Sequence, residues 1–218
     1  MTGGIQRAWG VLARALGGPG SPESEPRWVV VDVETTGLDA HRDAMLSVGA
    51  VALRPDGIDL SDSFEAAVQP PQTSSRDNIL IHRIGAQAQA AGDLPDRVCQ
   101  RFLDFVASSP LVGFHVAFDR KVLSRAMRHA GLTPPAYWLD VAELARAVRP
   151  DEQARALDEW LEIAELSAMA RHCAASDALA TAMLFQWVLA QVGATDRNYK
   201  RLRTLARGAR WLGASGSA

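Results

Sequence analysis

The sequence predicts an α/β domain built on a mixed β-sheet flanked by helices. Three observations carry that reading. Residues 27–34 (RWVVVDVE) form an apolar, β-branched run of the kind seen in strands buried on both faces. Two more apolar runs follow it with only short polar breaks. The remainder of the chain then alternates short apolar runs with stretches of helical periodicity.

The elements are expected in the following order. Ile5, Trp9, Leu12 and Leu16 recur at helical spacing and lead into GGPGSPESEP, so residues 1–26 read as an amphipathic helix and a Gly/Pro/Ser linker. The run at 27–34 is the expected central strand, and the TTG after it is a turn. Residues 45–53 (MLSVGAVAL) and 63–68 read as two further strands separated by the turn residues RPDG, together an antiparallel meander. Beyond the loop QPPQTSSRDN come helices near 79–91 and 95–107, a strand at 111–114, and a helix from about 117 to 130. A strand at 137–139 feeds a helix starting at Asp140, and helices cover about 153–165 and 172–192. Residues 27–195 are thus the expected domain, and 196–218 a basic C-terminal helix and tail.

Composition excludes several classes. A chain of 218 residues with 48% hydrophobic and 22% charged residues is neither disordered nor fibrous. Cys99 and Cys173 are the only cysteines, too few for a disulfide framework or a paired zinc knuckle, so a reducing, cytoplasmic setting is expected. The longest uncharged run, 178–195, includes Thr181, Gln186 and Gln191 and falls short of the roughly 20 apolar residues of a membrane span, so it reads as a buried helix. Arg7 and Arg14 interrupt any signal-peptide core, although the basic, acid-free N-terminus leaves a transit peptide as the alternative. Net charge is −2, but residues 196–218 hold six cations against Asp196, a local +5 that leaves −7 on the rest. Such a segment suits a nucleic-acid or partner contact as well as a solvated helix face.

Chemistry enters at VVVDVETTG. Asp32 and Glu34 are two apart on a strand, so their side chains share one face while Val31 and Val33 take the other. Two carboxylates beside a sheet core repel each other and lose hydration unless a cation neutralises them, and hard divalent ions do so. Acid pairs also occur at strand ends by chance, so this one gains meaning from its partners. In FHVAFDRKVL, Asp119 stands just after a short strand, and alone it reads equally as a helix-dipole acid. In HCAASDALATAMLF, His172 and Asp177 are five apart and would diverge by about 140° on one regular helix. They converge only if His172 precedes the helix. Asp140, with Glu143 three residues on, reads as a capping box rather than a ligand. His41 and His129 read as surface residues, Cys173 matches no zinc spacing, and there is no phosphate-binding loop with a GK[ST] signature.

Taken in order, DVETTGL, LVGFHVAFD and HCAASD resemble the three motifs of the DEDDh, or DnaQ-like, 3'-5' exonucleases, over about residues 27–190. That family includes the proofreading epsilon subunit of bacterial DNA polymerase III, the member this chain most resembles. The resemblance implies a ribonuclease-H-like mixed sheet. It implies that Asp32, Glu34, Asp119 and Asp177 hold two divalent cations, Mg²⁺ or Mn²⁺, with His172 as general base. Thr35, Thr36, Gly37 and Leu38 would contact the terminal nucleotide. Ile81, His82, Arg83 and Ile84 resemble the family's Ile-His-Gly-Ile, whose histidine approaches substrate, with Arg83 in place of glycine. Phe114 and His115 stand where the family commonly has His-Asn; neither is expected to bind metal.

The implied activity is removal of nucleotides from a single-stranded 3' end, DNA ahead of RNA, releasing nucleoside 5'-monophosphates in proofreading or repair. A DNA polymerase subunit is the candidate protein partner, and no membrane role is expected. The alternatives are a catalytically silent nucleic-acid- or polymerase-binding module and an RNA-directed exoribonuclease of the same family. A two-carboxylate glycosidase would leave Asp119, His172 and Asp177 without a role.

Overall fold

The computed structural model describes residues 27–70, 86–167 and 173–214. The expected N-terminal helix and linker lie outside them. In chain order the described elements are β1 (Trp28–Thr35), β2 (Met45–Arg54), β3 (Gly57–Ala67), α1 (Ala86–Ala90), α2 (Pro95–Val106), β4 (Leu111–Gly113), α3 (Ala117–His129), β5 (Trp138–Asp140), α4 (Val141–Val148), α5 (Leu157–Ile163), α6 (Ala174–Gln191), a 3₁₀ turn (Ala194–Asp196) and α7 (Tyr199–Ala214). The sheet order is β3-β2-β1-β4-β5, antiparallel from β3 to β1 and parallel from β1 to β5. This is the mixed, helix-flanked α/β sheet of ribonuclease-H-like proteins, with β1 at its centre.

The apolar run of β1 is continuous because each face meets its own core. Val29, Val31 and Val33 pack with Val98 and Phe102 of α2 and Val122, Leu123 and Met127 of α3. Trp28 and Val30 pack with Leu184, Phe185 and Val188 of α6, and the Trp28 and Phe185 rings meet edge to face at 5.6 Å. Helix α6 lies between the sheet and α4, which explains its near-continuous apolar sequence. No helix among the described residues is long and apolar enough to cross a membrane.

One strand is longer than its sequence suggests. The third strand starts at Gly57, directly after the turn, not at Ser63. Its first half is largely polar because it lies at the sheet edge and faces charges. Asp62 accepts from the Arg27 guanidinium at 2.7 and 2.8 Å and from Arg54 at 2.6 Å. These bonds, led by Arg27, hold the Asp62 carboxyl below its usual range. Ion pairing here does the work that apolar burial does elsewhere in the sheet.

The basic C-terminal segment forms α7, which packs on α4 and β5. Tyr199, Leu202 and Ala206 are buried in the same core as α6, while Lys200, Arg201, Arg203 and Arg207 are exposed. Leu202 is fully buried, so Leu202→Ala should cost about 2–4 kcal/mol in urea unfolding. A loss under 1 kcal/mol would mean that α7 contributes nothing to the core.

Candidate metal centre and active site

The carboxyl end of β1 is where the expected acids meet. Asp32 and Glu34 project from the α6 face of the strand, and Asp177 stands in the first turn of α6. One carboxylate oxygen from each of the three lies within 4.8 Å of the other two. An all-oxygen donor set of this kind suits a hard divalent cation.

A glycine sets how closely α6 approaches. Asp32 is paired with Gly49 of β2, and opposed residues in an antiparallel pair present the same face. A Cβ on Gly49 would stand 2.3 Å from the backbone of Ala174 and Ala175. The helix start therefore rests on the strand itself, and that contact carries Asp177 over Asp32. The pairing register shifts between Glu34 and Thr35, where Leu46 of β2 is passed over, just as β1 ends.

Asp119 arrives from the other side of the sheet. Strand β4 pairs with β1 only at Val29 and Val30, and Val29 N–H donates to Pro110 O on that side. Two residues per repeat bring the Val33 N–H to the same edge, beyond the end of the pairing. It donates to Asp119 Oδ1 at 3.1 Å instead. Asp119 is buried, and burial pushes its carboxyl up to about 7. Its own N–H and that of Val33 oppose this, while the charges of Asp140 and Glu34 add to it.

Asp140 is the N-cap of α4, as its spacing predicts, with Oδ1 accepting from Ala142 N at 3.0 Å and Glu143 N at 3.4 Å. It is buried, which raises its carboxyl, while His115 opposes the shift. His115 occupies the left-handed backbone region at φ 50°, a conformation that asparagine and histidine adopt more readily than most residues. The His-for-Asn exchange is thus accommodated by the backbone. Nε2 of His115 lies 2.8 Å from Arg155 O, tying the loop before α3 to the segment before α5.

The loop after β1 holds the residues expected to meet the terminal nucleotide. Asp43, which no motif marks, organises it. Its carboxylate accepts from Asp39 N at 2.7 Å and from Thr36 Oγ1 at 3.1 Å. Arg125 of α3 donates to Asp43 O. Thr35 Oγ1 donates to Gly37 O at 2.6 Å, so both threonine hydroxyls are engaged within the loop. Gly37 sits against the Asp43 carboxylate, where a Cβ would be 2.6 Å from Oδ2. Leu38 points outward, 95% exposed. His41 and His129 are exposed, as expected. His82 and His172 lie outside the described residues.

Gly49 and Asp43 escape the sequence motifs. A glycine inside a strand is itself a sign of close backbone approach, and that signal is present in MLSVGAVAL.

Comparison with known proteins agrees with this layout. Residues 29–185 match the RNase_T family model, described as an exonuclease. The chain is 32% identical over 163 residues to DNA polymerase III PolC-type of Caldanaerobacter subterraneus subsp. tengcongensis, an alignment covering 74% of this chain and 11% of that protein. It is 30% identical over 163 residues to DNA polymerase III PolC-type of Clostridium perfringens, covering 75% and 11% respectively. The chain therefore spans about a tenth of the length of these curated relatives. Among solved structures, the zinc-bound complex of E. coli exonuclease I with single-stranded DNA superposes with a TM-score of 0.68 at 17% identity, over 77% of this chain and 41% of that one. Cell-death related nuclease 4 superposes at 0.65 with 16% identity, over 78% and 66%.

Two predictions follow from the geometry. Gly49→Ala must push back the start of α6 and with it Asp177. Its divalent-cation affinity, measured by calorimetry, should fall about 10- to 100-fold, the range for residues that orient ligands; unchanged affinity would separate α6 placement from cation binding. The second concerns pH. Asp119 ionises at about 7 when folded and near 3.8 when unfolded, so between these values the folded protein keeps a proton that the unfolded chain has released. The contribution of Asp119 to stability without metal should therefore be full below about pH 4 and be lost as pH rises through 7. Thermal melts in chelator from pH 4 to 8 should show this decline, and Asp119→Asn should flatten it. An unchanged slope in Asp119→Asn would assign the effect elsewhere.

Proposed function

We propose that this chain, which belongs to the RNase_T family of exonucleases and is DnaQ-like in motif order and fold, degrades single-stranded nucleic acid from its 3' end. It releases nucleoside 5'-monophosphates and prefers DNA to RNA. The observation that carries the reading is the convergence of Asp32, Glu34 and Asp177 at one end of β1. Asp119 reaches the same strand end through Val33 N. A binding module has no need to concentrate carboxylates at such cost.

Asp32, Glu34, Asp119 and Asp177 would hold two divalent cations, Mg²⁺ or Mn²⁺. When bound, these supply positive charge at the scissile phosphate and lower the pKa of the attacking water. The chain's own residues supply geometry and proton transfer. His172 takes the proton of the water, and an imidazole of pKa about 6.5 suits that task near neutral pH. A bond forms between water oxygen and phosphorus as the bond to the 3' oxygen of the preceding nucleotide breaks. The loop of Thr35, Thr36, Gly37 and Leu38 positions the terminal nucleotide, joined by His82.

The single-stranded DNA held by E. coli exonuclease I supports DNA as substrate, and the PolC-type relatives support a polymerase subunit as partner in replication or repair. Cys99 and Cys173 are both free thiols, which fits the cytoplasm, and burial pushes the Cys99 thiol up to about 11.

Digestion of matched single-stranded DNA, single-stranded RNA and mismatched-primer duplexes with Mg²⁺, Mn²⁺ or chelator tests the reading. Single-stranded DNA should shorten stepwise from a free 3' end, yield 5'-monophosphates, and survive in chelator. Internal cutting, or digestion of 3'-blocked strands, would overturn it. Asp32→Ala should abolish hydrolysis and leave metal-free stability equal or higher, because a crowded carboxylate is removed. His172→Ala should keep cation binding, lose about 10²- to 10⁴-fold in kcat and lose the acid limb of the rate profile. A variant that retains that limb would take His172 out of the mechanism.

A further inference from the structure

Helix α3 carries Asp119 on its buried side and a cationic stripe on its outer side. Ala117, Lys121, Ser124 and Arg128 recur every three or four residues and share one face, with Arg120 and Arg125 beside them. Together with Ala40 and His41 of the loop after β1 they line a groove of about 440 Å³ in which no carboxylate takes part. A second hollow shares Ala40, His41, Ala117 and Lys121 with it and extends to Leu38 and Phe118. The two form one path from Leu38, four residues beyond Glu34, to Arg128, with about 16 Å of helix between Ala117 and Arg128. Asp39 lines the near stretch, with Arg42 at 3.8 Å from its carboxylate.

The charges along this path are unbalanced. Arg120, Lys121 and Arg128 form no ion pair among the described residues, and neither do Lys200, Arg203 and Arg207 of α7; what sets the α3 cations apart is that they line a common groove that holds no carboxylate. An uncompensated basic stripe on a chain of net charge −2 is a local feature, not a consequence of overall composition. Arg125 donates to Asp43 O and so locks the stripe to the loop that carries Leu38.

We infer that this groove carries the sugar-phosphate backbone of the substrate strand upstream of its terminal nucleotide. Lys121 and Arg128 contact successive phosphates, and Arg120 lies alongside. The inference rests on the exonuclease reading and adds to it a second, extended binding element, which short substrates do not reach. Electrostatic contacts of this type are independent of base sequence and sensitive to salt.

The test compares Lys121→Gln/Arg128→Gln with Lys200→Gln/Arg203→Gln on the exposed face of α7, which removes the same charge elsewhere. Binding of fluorescent dT12 is measured over a salt series in an Asp32→Ala background, and hydrolysis of dT12 and of the dinucleotide pdTpdT in the active enzyme. The slope of log affinity against log salt should flatten by about 1.4 in the groove variant, about 0.7 for each of two phosphates, and stay unchanged in the α7 variant. KM for dT12 should rise while kinetics on pdTpdT stay level. Equal slopes in the two variants, or equal losses on dT12 and pdTpdT, would overturn the inference and leave the exonuclease reading standing. If the wild-type protein digests neither dT12 nor pdTpdT, the exonuclease reading falls first and the groove falls with it.

Discussion

Repulsion among carboxylates at the carboxyl end of β1 is the constraint on which the arrangement of this molecule depends. Asp32, Glu34 and Asp177 stand within 4.8 Å of one another, and a buried Asp119 adds a fourth acid beside Glu34. Such a group holds its shape only where the surrounding frame is stiff enough to resist its own electrostatics. The frame is β1, covered by an apolar core on each face and hydrogen-bonded to β2 along its whole length. The dense packing behind the strand bears the cost of the charges in front of it.

Each acid is positioned by a different backbone feature. Side-chain alternation places Asp32 and Glu34 together. The absence of a side chain at Gly49 lets the first turn of α6 rest on β2 and brings Asp177 into range. Asp119 depends on the shortness of β4, which ends at Gly113 and leaves the Val33 N–H to be taken up by a side chain. A longer β4 would occupy that donor in the ladder and close the edge where the acids meet. The same truncation lets α3 begin at the site and run outward from it.

A polyanion approaching clustered carboxylates is repelled unless cations offset the charge, both in the site and along the path to it. In the proposed function, divalent ions held by the acids would act on the reacting phosphate, and the α3 groove would act on the phosphates behind it. Asp43 joins these two regions through its carboxylate in the loop and its carbonyl to Arg125. Field and geometry are therefore coupled through a loop whose own hydroxyls are spent on internal bonds. This leaves Leu38 as its exposed apolar projection toward solvent.

Periodicity in the sequence was enough to order the strands and helices from β1 to α6, to make β1 central and to bury α6. These features arise from local alternation and from the solvent aversion of apolar runs, which are properties of consecutive residues. The polar start of β3 was not legible, because its partners Arg27 and Arg54 are remote or on another strand and ion pairing leaves no apolar pattern. The three motifs named Asp32, Glu34, Asp119 and Asp177 as residues, but spacing along the chain carries no distance between β1 and α6. Only the packed structure decides that Gly49 admits α6, that Val33 N–H is left for Asp119, and that Asp43 ties the loop to α3. Each depends on two segments far apart in the chain meeting at contact distance, and such meetings are set by packing and not by local sequence.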